Sequence, residues 1–69
     1  MANYYVHTLK DAQGDYEVHT ENCTKLPSIS NREYLGSFTN CRDAVTKART
    51  RGYTPANGCY HCSRECHTS

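Results

Sequence analysis

Large apolar side chains are scarce in this chain. Its 69 residues include no Trp, one Phe and one Met, and six of its seven aromatic residues are Tyr. Buried tyrosines usually keep their hydroxyl groups hydrogen-bonded, so they suit a thin core with polar edges. A chain this short buries little apolar surface and usually depends on an additional cross-link. The composition therefore predicts a single domain, residues 1–69, that is stabilised by more than apolar packing.

Two kinds of targeting segment are also missing. The first residues, MANYYVHTLKD, lack the basic stretch and apolar stretch of a signal peptide. No apolar run approaches the length of a membrane span. These absences predict a soluble, cytoplasmic protein without a membrane partner. In that compartment thiols stay reduced, and clustered cysteines more often bind metal or act catalytically. The odd number of cysteines, five, also argues against a closed disulfide framework.

The first half of the chain reads as β-structure. Residues 4–9 and 15–19 are rich in aromatic and β-branched side chains. Residues 11–14 between them suit a type I turn with Gly14 in the left-handed conformation. We therefore expect a β-hairpin, followed by an irregular loop and a third strand at residues 34–38.

One amphipathic helix is expected after that strand. Asn40 suits the N-cap and Gly52 the left-handed residue that follows the last turn. At about 100° per residue, one face gathers a narrow apolar stripe: Cys41, Ala44, Val45 and Ala48. This position favours a small buried core residue over a metal ligand for Cys41.

Charge is distributed unevenly along the chain. Residues 1–39 carry three basic and five acidic side chains, whereas residues 40–69 carry five basic and two acidic ones. A basic half indicates an acidic partner such as nucleic acid. A helix that binds in a DNA groove would carry its basic residues on the solvent-exposed face, opposite the apolar stripe. Here they flank the apolar stripe, which is typical of side chains that keep a helix soluble: Arg42, Lys47, Arg49 and Arg51.

The last residues concentrate soft metal ligands. Cys59 and Cys62 form a C-x2-C pair, a spacing at which two thiolates converge on one ion. His19 and Cys23 supply a second pair. His19 ends the second strand, and its side chain lies on the same face as that of Glu17. The turn that follows can bring Cys23 back toward His19. The sequence thus predicts a structural zinc site with four protein ligands: His19, Cys23, Cys59 and Cys62.

Other ligand sets are compatible with the same spacing. Cys66 lies four residues after Cys62, so on a helical turn it would face the same ion. A site of four cysteines, at positions 23, 59, 62 and 66, is therefore an alternative in which His19 is an ordinary strand residue. His7 or His61 could also replace His19 as the fourth ligand.

The order of these elements resembles a known family. The segments VHTENC (18–23), YLGSFTNCRDAVTKARTRGY (34–53) and CYHC (59–62) follow the pattern of the Ada-type zinc-binding domain. That family comprises the N-terminal module of the bacterial DNA methyl-phosphotriester repair protein and small relatives. The resemblance covers most of the chain from Tyr16 onward and implies a zinc-held fold.

Two departures limit what the resemblance implies. The repair protein has Cys-x3-Cys where this chain has His19-x3-Cys23, and the first of those cysteines accepts the methyl group. An imidazole cannot serve as that thiolate, so the resemblance does not carry methyl transfer to this chain. Residues 54–58, before the C-x2-C pair, are also more numerous than the family usually shows.

The sequence supports a redox or catalytic function less well than a structural zinc site. Only seven residues follow Cys62, too few for the helix that lowers a thioredoxin-type thiol pKa. Haem attachment needs His where Ser63 stands. No oxyanion donor, orienting acid or small-molecule substrate site is recognisable, so we predict no catalytic residue. A thiol-reactive or redox protein using Cys62 and Cys66 is the alternative function.

Together these patterns predict a small, zinc-stapled α+β domain. We expect a hairpin, a third strand, one amphipathic helix and a C-terminal cysteine knuckle. The predicted function is a non-enzymatic binding module whose partner is a protein or a nucleic acid.

Overall fold

A computed structural model of the chain describes residues 1–67 as one mixed sheet and one α-helix. The elements are strands β1 (Ala2–His7), β2 (Tyr16–Thr20), β3 (Arg32–Phe38) and β4 (Ala56–Gly58) and helix α1 (Cys41–Thr50), with short 3-10 turns at Ile29–Asn31 and Arg64–Cys66. The sheet order is β3-β1-β2-β4. The predicted α+β class is confirmed. No helix within residues 1–67 has the length and apolar character needed to cross a membrane.

The predicted hairpin forms from β1 and β2. The two strands are antiparallel, with Tyr5 opposite His19 and Val6 opposite Val18. In the turn, the Gly14 N–H donates to the Asp11 carbonyl at 3.0 Å, and Gly14 has φ +85°. The left-handed turn glycine is therefore confirmed.

Strand β4 was not predicted. It runs parallel to β2, and Gly58 lies opposite Val18. Its sequence, Ala-Asn-Gly, has low strand propensity, so backbone pairing with β2 decides its conformation. This strand places the C-x2-C pair beside the end of β2, because the Cys59 N–H donates to the Val18 carbonyl at 2.9 Å.

Helix α1 begins and ends as predicted. The Asn40 side chain accepts a hydrogen bond from the Asp43 N–H at 2.9 Å. At the other end, Gly52 has φ +93°, and the Tyr53 N–H donates to the Ala48 carbonyl at 3.0 Å. This bond belongs to the Schellman motif that a left-handed glycine permits.

The core lies between α1 and one face of the sheet. Val6 and Val18 are fully buried there, and Leu35 of β3 is 3% exposed. The buried residues of α1 are the four of the predicted stripe: Cys41, Ala44, Val45 and Ala48. The expectation that Cys41 is a core residue is confirmed.

A disulfide bond joins Cys41, at the start of α1, to Cys66 in the C-terminal turn. The expectation that all thiols are reduced is therefore wrong for this pair. The two Cα atoms are 6.2 Å apart, within the range a disulfide spans. The odd cysteine count is accommodated because one bond leaves three free cysteines: Cys23, Cys59 and Cys62.

Candidate metal centre

Four soft ligand side chains meet beside the end of β2. The ligand atoms of His19, Cys23, Cys59 and Cys62 all lie within 4.8 Å of one another. The sulfur atoms of Cys23 and Cys59 are 3.8 Å apart. Two sulfurs at about 2.3 Å from one tetrahedral zinc are separated by about 3.8 Å. The structure thus brings together all four residues of the first predicted ligand set, in a group that could hold a metal ion.

Backbone hydrogen bonds position these side chains. After β2 the chain reverses, and the Cys23 N–H donates to the Thr20 carbonyl at 3.1 Å. In the C-x2-C segment, the Ser63 N–H donates to the Cys59 carbonyl at 2.8 Å. Both turns point cysteine side chains back toward the end of β2.

Backbone amides also point at the sulfur atoms. The Thr20 N–H donates to the Cys62 sulfur at 3.3 Å, and the Lys25 N–H donates to the Cys23 sulfur at 3.3 Å. Hydrogen bonds to an ionised acceptor favour its charged form. These two amide bonds therefore favour the thiolate forms of Cys62 and Cys23, and the thiolate is the form that binds metal.

The three free thiols differ in acidity. Burial raises the pKa of Cys23 to about 12. Burial also raises the pKa of Cys59, although amide hydrogen bonds from His61 and Cys62 oppose it. At Cys62 burial is outweighed by hydrogen bonds, first from the Thr20 amide, and its pKa lies below the ordinary value. Cys62 therefore ionises first, and the other two thiols need a nearby positive charge to ionise at neutral pH.

The surroundings of the His19 side chain indicate whether these four residues are suited to binding a metal ion. This side chain is 1% exposed, and within residues 1–67 neither ring nitrogen has a hydrogen-bond partner. A buried polar atom without a partner costs about 1–3 kcal/mol. Burial, with a smaller contribution from His7, lowers the pKa of His19 to about 4, so the ring is neutral and has a free lone pair. The four residues therefore fit a cation that uses this lone pair.

The alternative ligands lie elsewhere. The sulfur of Cys66 is bonded to Cys41, because the turn Arg64–Cys66 directs it toward α1. The four-cysteine alternative is therefore wrong for this structure, whereas the thiol-reactive or redox function using Cys62 and Cys66 stays a prediction. The His7 ring centre is 6.5 Å from that of His19, and neither His7 nor His61 belongs to the ligand group.

Sequence reasoning missed one neighbour of this group. A carboxylate oxygen of Glu17 lies 3.6 Å from Nε2 of His19, slightly beyond hydrogen-bond length. The strand pattern placed both residues on one face but gave Glu17 no role. The i, i+2 spacing was the available signal.

The basic side chains in α1 and at its C-cap do not share one environment. The Arg51 guanidinium contacts the Glu33 carboxylate at 2.6 Å. Arg42 and Arg49 line a groove of about 220 Å³ together with Glu65, so that surface carries both signs of charge. The nucleic-acid interpretation of the basic half stays a prediction.

Comparison of the chain with protein-family models, with curated proteins and with solved structures finds no match. The resemblance to the Ada-type domain accordingly stays a prediction from the residue pattern.

Proposed function

We propose that this chain is a non-enzymatic binding module whose fold is closed by a structural zinc ion. The observation that carries the proposal is the convergence of His19, Cys23, Cys59 and Cys62 within 4.8 Å. One imidazole and three thiolates form a borderline-soft ligand set of the kind that zinc prefers. The ring nitrogens of His19, which are buried without a hydrogen-bond partner in the part of the chain that the structure describes, support the same assignment.

The arrangement favours a structural ion over a catalytic one. Four protein ligands complete a tetrahedral shell and leave no position for water or substrate. His19 and Cys59 are each 1% exposed, which further restricts access. Held by these residues, the ion would tie β2 and its turn to the segment after β4. In a chain with so small a core, metal binding supplies part of the folding free energy.

The partner in this proposal is a protein or a nucleic acid. A closed ligand shell offers no site for small-molecule chemistry, so the surface of the domain would carry its function. His19 stands where the Ada-type repair module has its acceptor cysteine, and its imidazole gives no support for methyl transfer.

Native mass spectrometry of protein purified without added metal tests the proposal. We expect one zinc ion per chain and, after denaturation with EDTA at neutral pH, three cysteines that react with iodoacetamide. A chain without metal, or with further disulfides among Cys23, Cys59 and Cys62, would contradict the proposal. The variant Cys59→Ser should lose the ion, whereas the matched double variant Cys41→Ala/Cys66→Ala should keep it.

A further inference from the structure

Glu17 and His19 are neighbours on one face of β2, because residues two apart in a strand point to the same side. Oε1 of Glu17 lies 3.6 Å from Nε2 of His19. The imidazole is 1% exposed and the carboxylate side chain 27% exposed. Within residues 1–67, Nε2 has no hydrogen-bond partner at all.

A histidine that binds a metal uses one nitrogen and carries a proton on the other. That N–H needs an acceptor, and a carboxylate is a common one in metal sites. Among the described residues, neither nitrogen of the buried His19 ring has a hydrogen-bond partner, so the ion would satisfy one of them and leave the other. Nε2 is the nitrogen beside Glu17, which leaves Nδ1 for the metal.

We propose that Glu17 is the positioning residue of the metal centre. Its carboxylate accepts the Nε2–H of His19 and so fixes the tautomer in which Nδ1 binds the ion. A movement of less than about 1 Å brings the pair to hydrogen-bond length, and Glu17 is exposed enough to make it. This inference rests on the proposed zinc site.

Neighbouring groups are less suited to the role. The Glu21 carboxylate accepts a hydrogen bond from Nδ2 of Asn3 at 2.7 Å and is held there. The His7 ring is tilted by 56° to that of His19, with ring centres 6.5 Å apart. Glu17 therefore has the acceptor chemistry and the position together.

Zinc affinity, measured by competition with a chromophoric chelator, gives the first test. Glu17→Ala should bind zinc about 10- to 100-fold more weakly than the wild type. Glu17→Gln keeps an acceptor oxygen without the charge, so its loss should be smaller. Glu21→Ala is the matched control, since it removes the same charge two residues from His19 on the other side. Equal affinities for Glu17→Ala and Glu21→Ala would overturn the proposal.

Nitrogen-15 NMR of the zinc-loaded wild type gives the second test, independent of whether a variant folds. Long-range correlations should show a proton on Nε2 and metal binding at Nδ1 of His19. Metal binding at Nε2 would overturn the inference. A wild-type chain that takes up no zinc would instead overturn the proposed site itself, so the two failures are distinguishable.

Discussion

At the scale of single residues, the five cysteines divide according to what each sulfur touches. Cys23, Cys59 and Cys62 meet His19, whereas Cys41 and Cys66 are bonded to each other. The C-x2-C and His-x3-Cys spacings pointed to the first group because each pair is set by a local turn. Nothing local marks the second, since its members are 25 residues apart.

Gly58 is a position with no room for a side chain. A Cβ atom there would lie 2.6 Å from both the Cβ of Cys66 and the carbonyl oxygen of Ser63. We expect Gly58→Ala to push the C-terminal turn away from β4 and to lower the free energy of unfolding by about 1–3 kcal/mol, measured with urea. The amide NMR signals of residues 63–66 should shift.

Gly52→Ala is the control for that variant. Apart from the glycine and its chain neighbours, no atom of residues 1–67 lies within 4 Å of a Cβ at Gly52, so only its φ of +93° opposes a side chain. It should cost about 1 kcal/mol and leave the signals of residues 63–66 in place. Unchanged signals in Gly58→Ala would contradict the steric argument.

Glu33 makes the stability depend on pH. Its carboxylate accepts hydrogen bonds from the Tyr53 hydroxyl at 2.7 Å and from Arg51 at 2.6 Å. These bonds hold the pKa of Glu33 below its ordinary value of 4.5. Because the folded pKa is the lower one, the stabilisation is present above pH 4.5 and is lost as the pH falls through the folded value.

Carbon-13 NMR titration of the Glu33 carboxyl group checks this expectation. Tyr53→Phe removes the hydroxyl donor, so the pKa of Glu33 should move up toward its ordinary value. Glu33→Gln should flatten the dependence of the unfolding free energy on pH between pH 2 and 5. A Tyr53→Phe chain in which Glu33 titrates as in the wild type would show that the hydroxyl group is not responsible.

At the scale of elements, α1 and β4 owe their conformations to different causes. The helix has its own cap, apolar stripe and terminal glycine, all readable from residues 40–52. Strand β4 has three residues and no such signals. Its conformation depends on β2, with which it pairs in parallel.

The N-cap of α1 should have a measurable effect on stability. Asn40→Ala removes the acceptor of the Asp43 N–H, so we expect a loss of about 1 kcal/mol in unfolding free energy. Asn40→Asp keeps the acceptor and adds a favourable charge at the helix N-terminus. Thermal unfolding of both variants compares them, and an Ala variant as stable as the Asp variant would contradict the capping role.

At the scale of the whole molecule, the C-terminal segment has one covalent attachment and would gain a second from the proposed metal ion. The disulfide joins it to α1, and an ion held by the ligand group would join it to the end of β2. The two attachments involve different elements, α1 and β2, so each would limit a different movement of the C-terminal segment. The small core is consistent with dependence on both.

Removing the disulfide should destabilise the folded chain without abolishing metal binding. For a loop of 25 residues, chain entropy predicts a loss of about 3–4 kcal/mol. Urea unfolding of Cys41→Ala/Cys66→Ala, with zinc in excess, measures this loss. Reductant should bring wild-type protein to the same stability; a wild type indifferent to reductant would contradict a structural role for the bond.

Metal removal tests the second attachment. Excess EDTA should lower the unfolding free energy of the wild type, and re-added zinc should restore it. Far-ultraviolet circular dichroism follows both steps. Cys59→Ser should already resemble the chelated wild type and respond little to EDTA, so a strong response would indicate that EDTA acts elsewhere.

The sequence alone determined the features set by local spacing. The turn at Gly14 and the helix from its Asn40 cap to Gly52 follow from residues close together in the chain. The same holds for each pair of the candidate metal centre taken by itself, His19 with Cys23 and Cys59 with Cys62.

Only the tertiary structure decided the features that join distant segments. Strand β4 exists because β2 offers it backbone partners, and Cys66 faces Cys41 because the last turn packs beside α1. Glu17 is a candidate positioning residue because it lies beside His19, whose buried ring nitrogens have no hydrogen-bond partner within residues 1–67. Such features depend on which surfaces pack together, and no spacing within a single segment encodes that.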